Sequence, residues 1–339
     1  METLEAPELQ HLRALVAIDS QNPPRKSGPI AEHLARVTRA AFDVDVRDHG
    51  DGSISVLATR GSPRVLYNFH VDTVPVAPAW TRDPFALAVE GERAYGLGTC
   101  DTKGAAAAML AVALASKVDC ALLFTTDEEA GQGRCVRDFV ARKPAFEMVI
   151  VAEPTSAKAV LAHRGVATGT LAFHGTAAHS SSAASESAIH ALGRWIVAAE
   201  SAGASSRFNV GTVSGGVKPN VVAAEAEAKF GVRPPPERDP KMVLAELAAL
   251  APAATFTPGF LGPSLPESAA ARRFAESHGL PVGEPVDFWT EASLFAAAGY
   301  PALVLGAGSI AQAHGPDEFV PLADLSALRS IYARLLGTP

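Results

Sequence analysis

At four places the apolar positions gather into short runs, and each run leads to an acid or a histidine. Residues 64–69 lead to His70 and Asp72. Residues 121–126 lead to Asp127-Glu128-Glu129, and 148–152 lead to Glu153. Residues 302–305 lead, after a Gly-rich turn, to His314. Mainly apolar runs of this length predict buried strands. Open α/β sheets take ligands outside the carboxyl ends of their strands, so these side chains are expected to converge although they lie far apart in sequence. Helical periodicity covers 7–18, 30–41, 105–116, 267–278 and 322–336. Residues 44–47 and 53–59 read as strands around the turn signal His49-Gly50-Asp51-Gly52, a further strand is expected near Val286, and 75–85 read as a loop.

From about residue 164 the pattern changes. A strand over 166–174, a helix over 186–201, strands over 208–213 and 221–232, a helix over 240–250 and a strand over 254–257 follow one another. That order is βαββαβ, the ferredoxin-like arrangement. It predicts a self-contained α+β domain, 164–261, inserted into an α/β domain made of 1–163 and 262–339, whose mixed sheet is flanked by helices.

Composition narrows the function classes. The chain has 339 residues, enough for two domains, and a net charge of −7, which disfavours a nucleic-acid surface. Its longest small-apolar run, 105–115, is too short to cross a bilayer, and the acidic first residues lack a signal-peptide core. The three cysteines form no C-x-x-C pair, so a reduced, cytoplasmic protein is expected.

A histidine beside a carboxylate at a strand end, as in His70-x-Asp72, is weak evidence alone. Residues two apart in a strand share a face, and a metal-binding histidine usually hands its other N–H to a carboxylate or carbonyl. The fragment Gly96-x-Gly98-x-x-Asp101 is not a dinucleotide fingerprint, because its third glycine is replaced and no clear strand feeds it. Asp101 reads locally as the N-cap of the helix that follows. Taken with the strand ends, however, His70, Asp101, Glu129, Glu153 and His314 make a mixed nitrogen and oxygen donor set. It suits Zn²⁺ or Co²⁺ better than Ca²⁺, and is too large for one tetrahedral zinc. Two ions about 3.5 Å apart with one bridging carboxylate fit it. Glu128, beside Glu129, is free to act as a general base on water.

These segments resemble the M20 family of dinuclear zinc amidohydrolases. The resemblance rests on H-V-D-T-V-P (70–75), G-L-G-T-C-D-T-K-G (96–104), T-T-D-E-E (125–129), A-E-P-T (152–155) and A-H-G-P-D-E-F (313–319). Within the family, L-A-H-R-G (161–165), A-H-S-S (178–181), D-F-W-T-E-A (287–292) and G-S-I-A-Q-A-H (308–314) are most similar to the acetylornithine and acetylcitrulline deacetylases, with the Trp-containing segment leaning to the latter.

The resemblance implies roles. His70 and Glu153 would hold one of two Zn²⁺ (or Co²⁺) ions per subunit, and Glu129 and His314 the other, with Asp101 bridging, Asp72 orienting His70 and the Asp101–Thr102 peptide cis. Glu128 would take a proton from water and pass it to the leaving amine. His179 would stabilise the oxyanion from the partner subunit of a homodimer formed through the inserted lid; from local sequence it reads only as a surface histidine at a turn. Asn220 and Arg233 match substrate-contacting positions, Arg233 for a carboxylate, and otherwise read as a turn residue and a solvated strand end. Gly308 and Ser309 either shape the pocket or only make a turn. Ala105 and Ala307 depart from the residues common in the family, at positions that touch no ligand. The activity implied is hydrolysis of a small N-acetyl amino acid of arginine synthesis, N-acetyl-L-citrulline or N-acetyl-L-ornithine. The alternatives are a succinyl-diaminopimelate desuccinylase, a dipeptidase or a non-catalytic binding homologue.

Overall fold

The computed structural model describes residues 5–182 and 185–337, so the first four residues of the acidic amino-terminal stretch lie outside it. The chain divides into two compact units, Met1–Leu161 with Glu267–Glu284 and Thr290–Pro339, and Ala162–Pro266 with Pro285–Trp289.

The strands, numbered along the chain, are β1 (Asp43–Asp48), β2 (Ile54–Arg60), β3 (Val65–His70), β4 (Ala88–Glu90), β5 (Arg93–Tyr95), β6 (Cys120–Thr125), β7 (Met148–Val151), β8 (Val166–His174), β9 (Asn209–Gly215), β10 (Glu225–Val232), β11 (Thr255–Gly262), β12 (Ala302–Val304) and β13 (Phe319–Pro321). The first unit holds a sheet of order β1-β2-β6-β3-β7-β12 and a small sheet β13-β5-β4. In the large sheet β6, β3, β7 and β12 run parallel, while β2 pairs antiparallel with both β6 and β1. All four expected apolar runs are therefore parallel neighbours, and their carboxyl ends open on one edge. β6 and β7 are buried at every residue, as expected of strands covered on both faces.

Alternation along β3 sets the direction of its side chains. Tyr67 and Phe69 pack against Tyr332 of the helix Leu322–Leu335, with ring centroids 5.8 and 6.2 Å away. Asn68 and His70 point to the other face. The helix Lys103–Ala115 is buried along most of its length, and its small side chains allow close approach. A side chain at Gly104 would lie 2.3 Å from the Thr99 carbonyl oxygen.

The second unit has the expected βαββαβ order and a sheet of order β11-β8-β10-β9. Burial alternates along β8 and β10, so one face of the sheet is packed. The helices Ala188–Ala202 and Pro240–Ala249 cover it around Trp195, whose ring centroid lies 5.1 Å from that of Phe230 and whose Nε1–H donates to the Leu247 carbonyl.

Several expectations need correction. Residues 221–224 lie outside β10, with an isolated bridge from His179 to Val221 in place of strand pairing. No strand forms at Val286, which makes a single bridge to His163. β11 continues past Pro258 because it is an edge strand, where a missing N–H costs little, and a register shift absorbs the irregularity. Segment 285–289 belongs to the second unit. Asp287 pairs there with Arg164 at 2.8 Å and Arg207 at 2.7 Å, and the Trp289 indole donates to the Pro263 carbonyl.

Candidate metal centre

The site is assembled at the carboxyl edge of β3, β6, β7 and β12, within the first unit. Each ligand candidate is delivered by a strand end or by the loop beyond it. His70 ends β3, Glu128 and Glu129 follow β6, Glu153 follows β7, and His314 lies beyond β12. Asp101 comes from the loop between β5 and the helix Lys103–Ala115.

The Asp101 carboxylate is shared. Its Oδ1 lies 2.8 Å from His70 Nε2, and its Oδ2 lies 3.2 Å from His314 Nε2. On the first side Glu153 Oε1 is 3.6 Å from His70 Nε2. On the second side Glu129 Oε1 is 3.2 Å from His314 Nε2. Ligand atoms of His70, Asp101 and Glu153 all lie within 4.8 Å of one another, as do those of Asp101, Glu129 and His314, and those of His70, Glu128 and Glu129. Asp101 is thus not the N-cap of its helix. The cap position is Thr102, whose hydroxyl donates to the His70 carbonyl at 2.6 Å instead of capping. The Asp101–Thr102 peptide is cis.

His70 is held from behind. Its Nδ1 lies 3.3 Å from the Asp72 carbonyl oxygen and 3.6 Å from Asp72 Oδ1. A proton on Nδ1 leaves Nε2, which faces Asp101 and Glu153, as the free ligand atom. The Asp72 carboxylate accepts from the Asn22 amide at 3.0 Å and the Glu129 backbone N–H at 3.1 Å. It therefore ties β3 to the Glu128-Glu129 turn as well as facing His70.

Electrostatically the site crowds buried carboxylates around two imidazoles. Burial pushes the Glu153 and Glu128 carboxyls well above the usual carboxylate range, the neighbouring carboxylates add to this, and His70 opposes it. Burial alone would lower the His70 imidazole, but hydrogen bonds to Asp101 and Asp72 raise it well above its ordinary value. Hydrogen bonds to Asp101 and then Glu129 bring His314 up to about 10. Glu153 Oε1 is buried and, among the described residues, has no hydrogen-bond partner. Divalent cations would satisfy the same groups, and imidazole and carboxylate donors on both sides of a shared carboxylate suit them.

The remaining candidates are divided between the two units. Gly308, in the left-handed region at φ +75°, has no room for a side chain, because a Cβ would lie 2.5 Å from Cys100 Sγ. Ser309 caps the short turn Ile310–Gln312 in a reciprocal arrangement with Gln312, so its hydroxyl is engaged locally. His179, Asn220 and Arg233 lie in the second unit and are exposed. His179 Nδ1 lies 2.8 Å from the Ser181 hydroxyl, the Asn220 carbonyl accepts from the Ser180 N–H, and the Arg233 carbonyl accepts from the Arg164 guanidinium.

Other residues around the centre are absent from the expected set. Asn22, within what reads as a helix breaker, holds Asp72. Glu291 is buried behind the site, its carboxylate accepting from the Thr125 hydroxyl at 2.8 Å, and burial pushes it up to about 8. Glu318 accepts three backbone N–H groups of the Asp101 loop.

A family model described as peptidase family M20/M25/M40 matches residues 66–338. The N-acetyl-L-citrulline deacetylase of Xanthomonas campestris pv. campestris is 46% identical over 96% of each chain. The acetylornithine deacetylase of Erwinia tasmaniensis is 32% identical over 81% of this chain and 80% of its own. Among solved structures, an M20 family metallo-carboxypeptidase from Sulfolobus solfataricus superposes with a TM-score of 0.78 at 18% identity, covering 97% of this chain and 98% of its own.

Proposed function

Given that the chain belongs to peptidase family M20/M25/M40, we propose that it is a metal-dependent deacetylase that hydrolyses N-acetyl-L-citrulline to L-citrulline and acetate. The placement of the Asp101 carboxylate between two histidine–carboxylate pairs, with Glu128 alongside, carries the hydrolytic part of this reading. The 46% identity to an acetylcitrulline deacetylase over nearly the full length supports the substrate.

His70 and Glu153 would hold one Zn²⁺ or Co²⁺ ion, Glu129 and His314 a second, and Asp101 would touch both. When bound, the ions supply Lewis-acid polarisation of the amide carbonyl and a more acidic water. Glu128 takes the proton of the attacking water and later delivers it to the leaving nitrogen, so its carboxyl cycles between base and acid. Asp72 fixes the His70 ring through the geometry above. Arg233 would pair with the substrate α-carboxylate, Asn220 with its polar groups, and Gly308 and Ser309 would border the pocket.

A side-by-side assay of acetate release from N-acetyl-L-citrulline and N-acetyl-L-ornithine, with succinyl-diaminopimelate and a dipeptide as controls, tests the substrate. Preference for the citrulline compound is the expected result. Preference for the ornithine compound, favoured by the 32% identical relative, would move the enzyme ahead of carbamoylation. Turnover of only the controls would overturn the deacetylase reading.

The same reading makes the protein a cytoplasmic homodimer through its second unit, with His179 donating to the oxyanion in the partner's site. The three cysteines are free and buried, and among the described residues no helix is long and apolar enough to cross a membrane. β9 is an edge strand with an exposed face, and Val213 and Val197 are exposed nearby in the same unit. Mixing inactive Glu128→Gln and His179→Ala subunits is expected to restore part of the activity. No recovery from a mixture that exchanges subunits would place His179 in the site of its own chain.

A further inference from the structure

Glu318 is a carboxylate with no assigned part in the chemistry, yet it is 2% exposed and its head group is turned onto backbone amides. Its Oε2 accepts the Gly98 N–H at 2.9 Å. Its Oε1 accepts the Cys100 N–H at 2.8 Å and the Asp101 N–H at 3.1 Å. Its own carbonyl accepts the Gly96 N–H at 3.0 Å. Four amides of one loop are therefore held by one residue. Gly98 must be glycine for this wrap, since at φ +79° a Cβ would lie 2.7 Å from Thr73 Cγ2.

The register makes the contact rigid. Phe319, the next residue, pairs with Tyr95, and Tyr95 immediately precedes the loop. The loop that delivers Asp101 and the segment that delivers His314, four residues before Glu318, are thus fastened together behind the side chains that meet at 3.2 Å. We infer that Glu318 is a positioning residue that sets the Asp101 carboxylate against His314, and through it the two halves of the metal centre.

Only a carboxylate does this, because both oxygens must accept. A glutamine of the same shape turns an N–H₂ donor toward the Gly98 N–H. An aspartate keeps both acceptors but loses reach. This inference rests on the metal-centre reading, so the test separates the two. Hydrogen exchange of residues 96–104 is compared in metal-free wild type, E318Q and E318D, with 65–71 as an internal reference. Co²⁺ affinity, the visible Co²⁺ spectrum, and kcat and KM are then measured.

E318Q is expected to exchange faster at 98–101 but not at 65–71. It should bind Co²⁺ about 10- to 100-fold more weakly with an altered spectrum, and lose kcat with KM little changed. E318D should keep more affinity than E318Q, whereas a residue that only fills space would favour the isosteric Gln. Wild-type exchange and Co²⁺ affinity in E318Q, or E318D below E318Q, overturns the inference. If E318Q does not fold, E318D decides, since wild-type exchange and affinity in it would refute the need for reach. A wild type that takes up no Co²⁺ refutes the metal centre instead, and the exchange comparison still decides the role of the cradle.

Discussion

Replacing Glu128 with Gln is expected to lower kcat by about 10²- to 10⁴-fold while metal content stays at the wild-type level. Glu128 lies within ligand-atom distance of His70 and Glu129, but the five other groups already divide into the pairs His70–Glu153 and Glu129–His314 around Asp101. Its carboxylate is surplus to the donor set and available for proton transfer. Gln keeps the volume and one acceptor oxygen and loses the basic site. Burial and the negative charges of Glu129, Asp101 and Asp72 all act against ionised Glu128. A neutral Gln there should therefore leave the metal-free variant unfolding at no lower temperature than wild type. Metal analysis, thermal unfolding and kinetics on one preparation check all three. Turnover near the wild-type rate would end the general-base assignment, and loss of metal would make Glu128 a ligand.

The framework of this site is legible in the sequence because it depends on local pattern. Four apolar runs predict strands, and since parallel strands share a carboxyl edge, the residues following them meet. The helix Arg134–Ala141 has no counterpart among the expected elements: it buries only Cys135, Val136 and Phe139 and is short and polar otherwise. Asp101 reads as a cap because the strength of capping is local. Its real partners are 31 residues away at His70, and at His314.

Asn22, Glu291 and Glu318 are illegible for the same reason. Each is a buried polar residue whose meaning comes from contacts with distant segments, as with Gly98 and Glu318, 220 positions apart. The A-H-G-P-D-E-F motif contains Glu318, but a motif names residues without saying which way they point. The βαββαβ order of the inserted unit is readable from periodicity. The attachment of 285–289 to it is not, because that depends on Arg164 and Arg207 meeting Asp287.

Asp101→Asn should have the largest effect on metal content of any single isosteric change. Both Asp101 oxygens are in use, one toward His70 and the other toward His314. Asn offers one oxygen, and its amide nitrogen is a donor that cannot ligate a cation. One half of the centre then loses its share of the carboxylate and faces an N–H₂ group, while the remaining His and Glu of that half are left with a weakened site. Glu153→Gln or Glu129→Gln removes a ligand from one half only, so each should leave the other half occupied. The measurement is metal per chain after gel filtration in weak chelator, with kcat on the same samples. Loss of metal from at least one half and a kcat lower by about 10³-fold or more are expected, as when a centre that acts as a unit is broken. Full metal occupancy in Asp101→Asn, or a larger loss in either glutamate variant, would mean that Asp101 does not bridge. The histidine–carboxylate pairs would then have to act as two independent sites.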